Sequence, residues 1–176
     1  AGRALLNGLP AAVGAQTRGY MTGQLARLAR HFQASSESWD RIPNETPSDR
    51  ATWLMENALN DLAIGAKDPA RQHADAAAAL ARTFLAETNG ADPFGTRADF
   101  HTILGLAAAI NGREAEAIRE GLRAVELNPA NRDVLEASRS AAGLILIHLV
   151  LGHRDEAIRL ITEAAQTFAG IDAVKQ

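Results

Sequence analysis

Five histidines, His31, His73, His101, His148 and His153, are the side chains of this chain best suited to hold a metal or move a proton. A helical metal site pairs two histidines three or four residues apart, as HExxH does, and no such pair occurs. Nothing in the sequence shows the five converging, so no metal site is expected. His101 and His148 fall where helices pack, and there a hydrogen-bonded structural role is expected.

Carboxylates are the next candidates: Asp61, Asp99, the pair Glu114 and Glu116, and the pair Asp155 and Glu156. Acid–base catalysis needs two of them in one cleft with displaced pKa values. Most instead stand at helix starts, where a negative charge suits the dipole, or four residues before an arginine, as Asp155 before Arg159. The serines of SSES and SRSAAG lack the Gly-x-Ser-x-Gly elbow, and no Gly-rich phosphate loop is present. ENALND and NPANRD carry calcium-binding residue types without the alternating ligands of a calcium loop. With no cysteine, thiol chemistry, thiolate metal sites and disulfides are excluded. No catalytic residue, cofactor or metal is expected, and the chain does not read as an enzyme.

The elements that would position any site are helical. Alanine supplies 37 of 176 residues and aromatics 5%, a balance that favours helices over strands. The net charge of −3 is spread without long runs of one sign, so no basic footprint for nucleic acid is present. The longest apolar run, AAGLILIHLVLG at 141–152, is too short to span a bilayer and reads as a buried helix. The opening AGRALLNGL has neither an initiator Met nor the order of a signal peptide, and reads as a processed start or a segment of a longer chain. A cytoplasmic location is expected, the composition being equally compatible with the periplasm.

One domain, 1–176, is expected, opening with an N-terminal helix and loop over 1–45. The helix covers 10–36, with Met21, Leu25, Leu28 and Phe32 on one face. Residues 35–49 read as a loop that anchors Trp39 against the helices and ends in a helix start: Thr46 as cap, Pro47 at the first position, Asp49 three after the cap. Helices follow over 50–65 and 70–88, then a loop NGADPFG at 89–95, then helices near 97–110, 113–127, 132–151 and 154–169.

The chain also echoes itself. NGREAEAIR from Asn111 returns forty residues later as LGHRDEAIR from Leu151, aligning Gly112 with Gly152 and Ala117 with Ala157. Each copy joins two helices through a glycine suited to the left-handed turn that closes a helix. The small residues Gly105, Ala117 and Ala124 allow close helix crossings, and Pro129 ends the first pair. A helix pair leaves an apolar face uncovered, so such pairs stack.

This pattern resembles the tetratricopeptide repeat family. Leu104, Gly105, Ala117, Ala124 and Pro129 match its small and Leu positions, and AVELNP at 124–129 is a phrase typical of it. His101, Ala108 and Gly121 stand where the family carries large residues. The resemblance implies a right-handed superhelical array of about three antiparallel helix pairs after the N-terminal helix: a degenerate repeat at 50–90, a repeat at 97–131, and one at 132–170 with a lengthened first helix. The order of the segments is also similar to the C-terminal repeat regions of some bacterial signalling proteins, which carry an output domain at their N-terminal end.

The resemblance further implies a concave groove lined by Asn57 and Asp61 in the degenerate pair, by Asp99, Thr102, Leu106, Ala109 and Ile110 in the next, and by Arg139, Ala142, Leu146, Leu149 and Val150 in the last. The expected function is a non-catalytic protein-interaction or scaffold module taking a protein or peptide partner, such as an amphipathic helix, without nucleic-acid binding or membrane insertion. Two other readings stay open: a homodimer formed through the groove, and a helical enzyme or small-molecule-binding domain with a pocket beside residues 1–45.

Overall fold

The computed structural model describes residues 15–41, 46–88, 96–129 and 134–172, and those residues form an all-α protein without strands. They contain eight helices: α1 Ala15–Leu28, α2 Phe32–Asp40, α3 Pro47–Ala63, α4 Lys67–Glu87, α5 Thr96–Ile110, α6 Glu114–Leu127, α7 Val134–Leu151 and α8 Arg154–Asp172. The expected start of the first helix before Ala15 and the NGADPFG loop lie outside the described residues. None of the described helices is long and apolar enough to cross a membrane. The chain divides into two compact units, Ala1–Ala77 and Ala78–Gln176, with the boundary inside α4.

In the first unit α1 packs on α2 and α2 on α3. The helix expected to run unbroken to Ser36 instead ends at Leu28. Arg30 turns left-handed with φ 61°, the His31 amide donates to the Ala26 carbonyl at 2.8 Å, and the Arg30 amide donates to that of Arg27 at 2.8 Å. Leu28, expected on the inner face, is 79% exposed at this helix end. The expected loop from Ser35 is helical as far as Asp40. Serine is a mediocre helix former, and packing overrides it. Trp39 and Ser35, four residues apart on α2, are both buried, and Trp39 clusters with Trp53 of α3. Gly23 of α1 makes room for the indole, since a Cβ there would sit 2.7 Å from the Trp39 ring. Trp39 is therefore a core anchor carried on a helix, not on a loop.

The start of α3 follows its sequence. The Asp49 amide donates to Thr46 Oγ1 at 3.1 Å, the Thr46 amide donates to Asp49 Oδ2 at 3.2 Å, and Pro47 occupies the first turn. This reciprocal cap satisfies two amides that the helix leaves without internal partners.

In the second unit α5 packs on α6, both pack on α7, and α7 packs on α8. Its core is built from alanine and glycine: Ala107, Ala108, Ala117, Ala124 and Ala157 are fully buried. At Gly105 an added Cβ would meet Ile147 Cδ1 at 2.5 Å and the Ala117 carbonyl oxygen at 3.0 Å. At Gly121 it would meet Leu144 and Ile147 at 2.8 Å each. The two glycines thus admit the large side chains of α7, and small-for-large complementarity of this kind holds the helices close. Phe84 and Phe100 add an aromatic contact, their ring centroids 4.2 Å apart.

The two glycine turns are built alike. Gly112 (φ 73°) donates to the Ala109 carbonyl at 3.0 Å while Arg113 donates to Ala108 at 2.8 Å. Gly152 (φ 84°) donates to Leu149 at 3.1 Å while His153 donates to His148 at 2.8 Å. Both are Schellman closures, in which two late carbonyls of a helix are satisfied from beyond a left-handed residue.

Candidate functional site

The groove residues fall in both units, and each set is placed within its own unit. In the first, Asn57 is 5% exposed and belongs to the core of α3, so it does not line a surface. Asp61 is half-buried, with its Oδ2 2.7 Å from His73 Nδ1, a contact that ties α3 to α4.

In the second unit, Asp99 on α5 and Arg139 on α7 meet. The Arg139 guanidinium donates to Asp99 Oδ2 at 3.1 Å, and also to Glu136 of its own helix at 3.2 Å. These two positions are forty residues apart, the distance of the sequence echo. Thr102 of α5 lies against Gly143 of α7, where a Cβ would come 2.5 Å from Thr102 Cγ2. Leu106 and Ala109, expected in the groove, are only 4% and 6% exposed and are core residues. Ile110, Leu146 and Val150 are half-buried, while Ala142 and Leu149 are exposed. A helix that packs on neighbours at both sides keeps only a narrow strip for solvent, and that strip passes beside Leu106 rather than through it.

A concavity of the second unit lies elsewhere. A cleft of about 250 Å³ runs between the end of α6 and the facing sides of α7 and α8, lined by Val125, Pro129, Ala141, Leu144, Ile145 and Leu160. None of the expected groove residues borders it. At its polar edge Asn128 Nδ2 donates to Ser140 Oγ at 3.2 Å.

Several histidines and carboxylates are held by contacts within a helix or between neighbouring helices. His101, with its Nδ1 2.8 Å from Glu120 Oε2, joins α5 to α6, the hydrogen-bonded role expected of it. Arg159, expected to pair with Asp155, instead donates to Glu156 Oε2 at 2.8 Å and also bonds Glu163. The bond from Arg159 holds the half-buried Glu156 carboxyl below its usual range. Among the described residues no three metal-ligating side chains are placed so as to hold a metal ion.

One cluster escaped the sequence reading. His148 Nδ1 and His153 Nδ1 lie 3.4 Å apart, and His153 Nε2 lies 3.6 Å from Glu114 Oε1. A search for histidines at helical spacings misses a pair five residues apart. The signal was the turn itself: a Schellman closure brings together the side chains on either side of its longer hydrogen bond, here His148 and His153.

Neither the family models nor the curated protein sequences compared with this chain give a match.

Proposed function

We propose that residues 96–172 are two stacked helix pairs of tetratricopeptide-like form, and that the protein is a non-catalytic interaction module. The bond between Asp99 and Arg139 carries this reading. In an array that repeats by translation, side chains one repeat apart occupy the same place on successive first helices, which are neighbours. The matching closures at Gly112 and Gly152, and the passage of α7 over Gly105 and Gly121, agree with the same geometry. The exposed Leu149, with half-buried Leu146 and Val150 beside it, offers a partner an apolar strip that ends in the Asp99–Arg139 pair. An amphipathic helix with a charged residue at one end fits such a strip.

A photo-reactive amino acid at position 149 tests the reading in cells. Crosslinking to one discrete polypeptide, absent when the probe stands at exposed Leu122 on α6, is expected. Equal labelling from both positions, or none from position 149, would overturn it. An adduct of twice the chain mass would instead assign the strip to self-association.

A further inference from the structure

The Gly112 and Gly152 turns share a backbone and differ in what it carries. The first places Ala108 and Arg113 on either side of its longer hydrogen bond, and the second places His148 and His153 there. We propose that His148 and His153, closed over the Gly152 turn and backed by Glu114, form a proton-operated catch that holds the start of α8 when neutral and loosens it on acidification.

The chemistry is that of two imidazoles sharing one proton. In the neutral pair one Nδ1–H can donate to the other Nδ1, 3.4 Å away. A proton arriving from solvent on the accepting nitrogen leaves two N–H groups facing each other and one positive charge on the pair. A further proton, on the free Nε2 of the other ring, puts a second positive charge beside the first, the ring centroids being 5.6 Å apart. His148 is 7% exposed, so water screens it poorly. The charged and titratable groups around it are Glu114 from α6, His153 from the turn, and Glu156 and Arg159 from α8. On α5, which also packs on α7, the titratable groups Arg97, Asp99 and His101 belong to the N-terminal half, and Asp99 bonds Arg139, nine residues before His148.

Burial is the largest influence on His148 and lowers its pKa from the ordinary 6.5; Glu156 opposes this, and His153 adds to it. The folded turn therefore binds the proton less readily than the unfolded chain. Stability is fully present above pH 6.5, declines as the pH falls through that value, and levels off below the folded pKa. His153 reaches the α6 start through Glu114, so the catch also links the two helix pairs.

The test compares the two turns of the intact chain by amide hydrogen exchange, after correction for intrinsic rates. Protection of the His153 and Ala157 amides is expected to fall by up to about tenfold for each pH unit between 6.5 and the folded pKa of His148, while the Arg113 and Ala117 amides keep theirs. His148→Ala, which gives the second turn the residue of the first, should flatten the response. An NMR titration of His148 in the unsubstituted chain guards against a variant that merely loosens the turn. Both turns responding alike, or His148 titrating at or above the ordinary 6.5, would sink the proposal. No partner enters the experiment, so its outcome is separate from that of the crosslinking test.

Discussion

The two glycine turns of the second unit show how one backbone can serve different ends. Gly112 and Gly152 have φ values of 73° and 84° and the same pair of closing hydrogen bonds. Around the first the flanking side chains are inert or permanently charged, and around the second they titrate. What the two turns share is the closure. What they leave free is the pair of side chains that the closure presses together.

Four experiments break or sharpen that comparison. The largest effect is expected where the two hairpins meet. Gly105→Trp would drive an indole into Ile147 and the Ala117 carbonyl, and overpacking on that scale costs about 3 kcal/mol or more, read by urea denaturation. An unchanged midpoint would mean that α7 does not seat on Gly105.

The turns themselves come next. No atom lies within 4 Å of a Cβ built at Gly112 or Gly152, so an alanine there meets only backbone strain. Gly112→Ala and Gly152→Ala should each cost about 1–2 kcal/mol. Costs that differ by more than about 0.5 kcal/mol would mean that the closures are not equivalent.

Arg30 supplies the reverse substitution, because it occupies the same left-handed position without being glycine. Arg30→Gly should stabilise the first unit by about 0.5–1 kcal/mol, the relief of strain exceeding the added freedom of the unfolded chain. A loss of stability would show that the arginine side chain makes a contact worth more than its strain.

The smallest effect belongs to the link between the first helices of the two pairs. Asp99 and Arg139 have side chains 37% and 55% exposed, so Asp99→Asn should cost about 0.5 kcal/mol or less, and less still in high salt. Its value is diagnostic. In a double-mutant cycle with Arg139→Gln the coupling should be measurable, and a coupling of zero would remove the main support for translation by forty residues.

Much of this was legible beforehand. The cap at Thr46, the turns at Gly112 and Gly152, and the helices around them depend on interactions within a few residues, which the order of side chains states directly. The first unit was read less well. Serines 35, 36 and 38 speak for a loop, but the burial of Trp39 under α1 and beside Trp53 decides for a helix. Of the residues expected to line a groove, Asp99 and Arg139 face each other, whereas Leu106, Ala109 and Asn57 are buried. Periodicity gives the face on which a residue stands, and not how far the next helix reaches across it.

The sequence alone therefore determined that the described residues are helical, where most helices start and stop, and that the closure at Gly112 returns at Gly152. Only the tertiary structure decided which faces are covered, that the apolar cleft lies between α6, α7 and α8, and that His148 meets His153 and Glu114. The physical reason is range. Caps and left-handed turns are settled by hydrogen bonds that span at most six residues, while burial and the chemistry of a cluster depend on atoms brought together from across the chain.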